Sequence, residues 1–334
     1  MEHGGRPACG DPLQFVPVPA VAPPGPLKAS MRDLADYAPA EWLALTPLAH
    51  RLRRARNLLV DRIYARRQAP GQAEVVARIA AERAPVVAFT VAFNLPQAVD
   101  FLADAMARFL PRTPLVVCDN STDPAARTAI AALCRRRGLT YCPLPPTPYR
   151  GARNGSRSHG VALNWIYANL IRPAAPRAFA LLDHDLIPLE PTDLAGRLAG
   201  QPCYGMVREG EGNDAWYLWP GYCVFDFAAV KALPLDFGTD TPLTLDTGGQ
   251  NWGVLYRHLD LASLRTSSRR RVHLADPETG EMEPFLLADG WLHVGGAGHR
   301  GGGAGALQRV REAYEADPEG LIARLRASPE RLAA

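Results

Sequence analysis

Two carboxylates, Asp183 and Asp185, close the run Ala178-Phe-Ala-Leu-Leu-Asp183-His184-Asp185. An apolar run of this length with polar bounds reads as a strand buried on both faces. Side chains alternate along a strand, so the two acids point to one side at its carboxyl end and His184 to the other. That edge of an open α/β sheet is where ligands bind. Two like charges in an apolar setting are costly unless a cation neutralises them. A hard divalent ion shared with phosphates would do so, whereas a surface turn would leave both acids solvated. A third acid, Asp119, ends Val116-Val-Cys-Asp119 and could accept hydrogen bonds from a base or ribose. The residues after it suit a plain helix cap equally well, with Ser121 or Thr122 supplying the oxygen. Further on, Trp216, Trp219 and Tyr222 form an aromatic cluster that could wall a sugar ring or could be core.

The elements that must position these groups alternate between two periodicities. Strands are expected at Val86–Phe93, Leu115–Cys118, Thr140–Pro143 and Phe179–Leu182, with helices at Pro96–Leu110, Asp123–Arg137 and Ser158–Ile171 between them. Proline opens the first of these helices, Gly138 stops the second, and Pro173 is expected to stop the third. Such alternation implies right-handed crossovers and a mainly parallel sheet. Beyond Asp185 the pattern is less regular, with strand candidates at Cys203–Val207, Trp216–Phe225 and Phe285–Leu287. A glycine run, Gly295–Gly305, leads to a terminal helical segment from Leu307. The chain therefore divides into a Pro-rich disordered tail (1–28), a helical extension (29–83), an α/β domain (84–300) and a Gly-rich linker with a C-terminal helix (301–334).

In the extension, helices are expected over 47–68 and 72–83. Leu48, Leu52, Ala55, Leu59 and Ile63 form a stripe, and seven arginines cover much of the remaining surface. Such a helix could lie on an anionic membrane surface, but packing of the stripe on its own domain is the commoner arrangement. The chain of 334 residues has 47% hydrophobic residues and a net charge of +3, which is ordinary for a globular protein and calls for no nucleic-acid partner. Lys28 and Lys231 are the only lysines, a bias that suits a GC-rich bacterial genome. The six cysteines show no zinc or redox spacing. No secretory signal or 18-residue apolar run appears, so a cytoplasmic location is expected, with peripheral contact at the inner membrane face through the 47–68 helix as a variant.

Four segments taken together resemble the family-2-type glycosyltransferases of the GT-A fold. They are Val86-Val-Ala-Phe-Thr-Val-Ala-Phe-Asn94, Val116-Val-Cys-Asp119-Asn-Ser-Thr-Asp123, Gly160-Val-Ala-Leu-Asn164 and Asp183-His-Asp185. The last corresponds to that family's Asp-x-Asp motif. Order and rough spacing agree over residues 85–190, although Asn120 and Ser121 stand where the family usually has Asp and Gly. The resemblance implies a GT-A-like, Rossmann-type, mainly parallel sheet sandwiched by helices. It implies a nucleotide-sugar donor, a glycan, lipid-linked or small-molecule acceptor, and Mn2+ or Mg2+ as cofactor. Asp119 would contact the nucleobase or ribose, with Asn94 at the neighbouring strand end. Asp185 would bind the metal, and Asp183 would serve the metal and the ribose or sugar side. Arg153 and Arg157, in the loop before the third helix, could reach the diphosphate, or could simply be solvated. Asp246, before Gly248-Gly249, would be the base of an inverting transfer, or an Asx-type cap. His293 would supply a further metal ligand, with His299 as a competitor and a structural histidine as the plain reading.

Two other classes stay open. A haloacid-dehalogenase-like phosphatase also places Asp-x-Asp after an apolar strand, but expects Thr or Ser where Ile187 stands and usually uses its first strand. A non-catalytic GT-A-like nucleotide-binding protein is the other.

Overall fold

The computed structural model describes Leu34 and residues 37–149, 151, 154–275, 280, 282–297 and 302–328. The 1–28 tail, Arg153 and His299 lie outside the described residues. A six-stranded sheet forms the centre, built from β1 (Val87–Ala92), β2 (Leu115–Asp119), β3 (Thr140–Pro143), β4 (Ala178–Asp183), β6 (Cys203–Glu209) and β7 (Trp216–Asp226). The strand order is β3-β2-β1-β4-β7-β6, and β7 alone runs against its neighbours. This is the mainly parallel, helix-flanked α/β sheet that the alternating pattern requires. A second, antiparallel sheet joins β5 (Leu186–Pro188), β10 (Trp291–His293), β9 (Met282–Ala288) and β8 (Arg270–Ala275) in that order. Of these, only part of β9 is visible in the sequence pattern, because β5 and β10 are three residues each.

Strand alternation divides the core. Ala88, Val117, Ala180 and Leu182 face one apolar cluster, and Val87, Phe89, Val116, Phe179 and Leu181 face the other. The first cluster takes in Val99 and Leu102 of the helix Pro96–Phe109, and Leu307, Leu321 and Leu325 of the C-terminal helices Gly303–Ala316 and Pro318–Ala327. Helix thus starts inside the expected glycine linker. The second cluster takes in Tyr64 of Thr46–Ala65, Val75 and Ile79 of Gln72–Ala81, and Trp165 of Gly155–Ile166. The helix from Gly155 does not stop before Pro173. It passes through a π turn at Tyr167–Ile171 and ends after Arg172–Ala174, the wide turn taking up the misfit that proline brings.

The helix Thr46–Ala65 is joined to the core by polar contacts as well. Tyr64 donates to the Pro145 carbonyl at 2.8 Å, and the Trp165 indole N–H donates to the Arg67 carbonyl at 2.8 Å. Its apolar stripe does not pack on the domain as expected. Leu48, Leu52, Leu59 and Ile63 point outward, and the opposite side of the helix carries the contacts.

Candidate active site

The site begins where β4 runs out. Asp183 is its last residue, and Asp185 stands in the turn into β5. His184 points away from both acids, and its Nδ1 accepts the Phe93 N–H at 3.1 Å, tying the end of β1 to this turn. Asp185 is buried; its Oδ2 accepts the Ala297 N–H at 3.0 Å and its backbone carbonyl accepts the Val294 N–H at 3.1 Å. Antiparallel pairing of β10 with β5 sets His293 opposite Leu186, so the second sheet carries an imidazole to the edge of the first. His293 Nε2 lies 3.6 Å from Asp185 Oδ1 and 3.8 Å from Asp183 Oδ2. One ligand atom from each of the three residues falls within 4.8 Å of the others, a convergence that no other His, Cys, Asp or Glu group matches among the described residues.

These separations are too long for direct hydrogen bonds and leave the three groups aimed at common space. Two carboxylates and one imidazole are a donor set that fits Mn2+ well and Mg2+ through its oxygens. Burial alone would raise the Asp185 carboxyl pKa, but the His293 imidazole and the Ala297 N–H outweigh it and hold the group well below the usual range. Burial also opposes charge on His293, yet the Asp185 and Asp183 carboxylates raise its basicity.

Two residues beside this cluster carry no signal in the sequence. His159, on the helix Gly155–Ile166, places Nε2 3.6 Å from Asp183 Oδ1. Arg208 of β6 sets its guanidinium 5.9 Å from the Trp219 ring centre, close enough for its charge to lower the His293 pKa. Burial and the nearby Arg269 lower the pKa of Arg208 itself. Neither residue stands at a spacing that ties it to another polar group along the chain.

Of the three aromatic residues expected to wall a sugar, only Trp219 reaches the site, with its ring centre 4.5 Å from that of His293. Trp216 is buried against Tyr256, and Tyr222 is buried against Trp291. The cause is a register shift. β6 pairs Gly205 with Cys223 but Val207 with Leu218, so residues 219–222 have no matching length of partner strand and Trp219 leaves the ladder. Gly221 is required there, because a Cβ on it would lie 2.0 Å from the Trp219 ring.

Asp246 is exposed, in a loop held against the same bulge. Thr247 donates to the Ser156 carbonyl at 3.1 Å, and Gly248 N–H donates to the Phe237 carbonyl at 2.8 Å. Gly248 has φ +94° and sits so close to Leu218 and Pro220 that an added Cβ would come within 3.1 Å of the Leu218 carbonyl oxygen. Gly160 and Asn164 support this loop from the helix side. The Asn164 amide donates to Asp236 at 2.7 Å and accepts the Phe237 N–H at 2.7 Å, and a Cβ on Gly160 would lie 2.7 Å from the Phe237 carbonyl oxygen.

The ends of β1 and β2 are braced among themselves. Asn94 adopts φ +52°, and its side-chain Oδ1 accepts the N–H groups of Thr122 and Asp123 at 2.9 and 3.0 Å. Asp119 is fully buried; Oδ1 accepts the Ser121 N–H at 2.9 Å and Oδ2 accepts the Tyr141 hydroxyl at 2.8 Å. The helix Pro124–Arg137 is capped by Asp123, not by Ser121 or Thr122, through the Ala125 N–H at 2.9 Å. Beside these residues lies a cavity of about 200 Å3 lined by Asn120, Ser121, Thr122, Arg127, Pro145 and Thr147. Arg157 sits apart, in an ion pair with Asp61 at 2.5 Å and with its guanidinium 4.9 Å from the Tyr149 ring centre.

No protein-family model matches the chain, and no curated protein matches it in sequence. Among solved structures, the mannosyltransferase PcManGT from Pyrobaculum calidifontis in complex with GDP-Man and Mn2+ aligns with a TM-score of 0.35 at 13% identity. The alignment covers 64% of this chain and 63% of that one.

Proposed function

We propose that the chain is a metal-dependent glycosyltransferase that moves a sugar from a nucleoside-diphosphate donor to an acceptor hydroxyl. The observation that carries this reading is the convergence of Asp183, Asp185 and His293 at the carboxyl edge of the parallel sheet. These three residues would hold Mn2+ or Mg2+, which when bound polarises phosphoryl oxygens and offsets charge on a departing diphosphate.

The other residues divide the remaining work. The cavity beyond β2 receives the nucleobase, with Asp119 and Asn94 setting its shape through the contacts they already make. Trp219 offers an apolar face to a sugar ring. Arg208, beside Trp219, adds positive charge that would favour the anionic diphosphate. Asp246 takes the proton from the acceptor hydroxyl as it attacks the anomeric carbon, a single displacement that inverts the configuration. Arg157 braces the helical extension, not the diphosphate, because Asp61 holds its guanidinium.

The direct test is turnover of UDP-, GDP- and dTDP-sugars with Mn2+, followed as release of nucleoside diphosphate. Release from one donor that stops with EDTA and with Asp185→Asn is expected. Release that is indifferent to chelation, or no release from any donor, would contradict the proposal.

A further inference from the structure

Seven arginines and only two acids, Glu41 and Asp61, lie between residues 39 and 68. Asp61 is already engaged by Arg157. On the helix Thr46–Ala65, Leu48, Leu52, Leu59 and Ile63 are 51 to 63% exposed, and Ala55 completes their stripe. The segment before it adds Trp42 and Leu45, with Leu43 at 88% exposure. Spacings of three and four residues keep the stripe on one side of the helix, while Asp61 and Tyr64 hold the opposite side to the core. Arg51 and Arg62 flank one margin of the stripe, and Arg56 flanks the other. Arg51, Arg56 and Arg62 are exposed and have no acidic partner among the described residues. The helix has 20 residues, but no helix among the described residues is long and apolar enough to cross a membrane.

We infer that this face docks on the surface of an anionic lipid bilayer, with the Leu/Ile/Trp stripe in the headgroup–acyl boundary and the flanking guanidinium groups on lipid phosphates. An apolar stripe bordered by arginines on both margins is the arrangement that lies in an interface rather than across it. Charge complementarity selects the occupant. A second copy of the same face would bring arginine margins together with almost no acid to answer them, whereas an anionic leaflet attracts each of them. The inference does not depend on the transferase reading.

The test is flotation of the full chain with phosphatidylcholine vesicles and with vesicles of about one-quarter phosphatidylglycerol. Binding to the anionic vesicles alone is expected, weakening at high salt. The double variant Leu52→Glu/Leu59→Glu should lose at least tenfold in binding, and Arg51→Glu/Arg56→Glu/Arg62→Glu should lose as much. All these residues are exposed, so melting temperature and nucleotide binding should stay at wild-type values. Absence of binding to anionic vesicles, or binding that both variants retain, would overturn the inference. Two further results would also overturn it, by naming another occupant. One is concentration-dependent dimerisation abolished by Leu52→Glu/Leu59→Glu. The other is lipid binding that appears only after deletion of residues 1–36, which would mean that this segment covers the stripe.

Discussion

At the scale of single residues, the site joins groups from both sheets and two loops. The acidic pair was plain in the sequence, because an apolar run ending in two acids one residue apart has a single sensible strand reading. His293 could be suspected only by resemblance; its partner strand β5 has three residues and leaves no periodic trace. Trp219 could not be separated from Trp216 and Tyr222 without the bulge that lifts it out of the ladder. His159 and Arg208 were missed for a related reason: each meets its neighbours only through tertiary packing. The proposed base gives the sharpest residue-level expectation. Asp246→Asn removes a proton acceptor but no cation ligand, so transfer should fall by about 100- to 10,000-fold while nucleoside diphosphate affinity holds. Steady-state rates beside a binding isotherm measure both, and unimpaired transfer would remove Asp246 from the chemistry.

At the scale of elements, the helix Thr46–Ala65 reverses the usual amphipathic logic. Its polar side meets the core and its apolar stripe meets solvent, so a moment read from sequence finds the stripe but points it the wrong way. The inward contacts include Asp61, whose carboxyl pKa is raised to about 6, first by burial and then by Asp236, against the lowering pull of Arg157. A carboxyl raised on folding takes up a proton as the chain folds, so stability should increase as pH falls through about 6 towards the ordinary value. Asp61→Asn should flatten that rise although it breaks an ion pair. Near pH 7 it should leave the protein unchanged or more stable by about 1 to 2 kcal/mol, less than full linkage because water partly screens the pair. Thermal melts of both proteins across this pH range test it, and a large loss of stability in the variant at neutral pH would show that the pair is net favourable.

At the scale of the whole molecule, the parallel half of the sheet was readable because β1, β2 and β4 are nearly continuous apolar runs with helical periodicity between them. The second sheet was not, since β8 is mostly half-buried, with exposed and intermediate residues in irregular order. Yet that sheet is what completes the site: β10 supplies His293, the one imidazole that approaches both acids, whereas His159 meets Asp183. The account therefore rests on cooperation between two sheets around one cation. Titration calorimetry of nucleoside diphosphates with and without Mn2+ tests it most directly. The account predicts that Mn2+ raises affinity for at least one nucleoside diphosphate tenfold or more, and that Asp185→Asn and His293→Ala each remove the gain. Equal affinity in Mn2+ and in EDTA, with both variants binding like the parent protein, would contradict it.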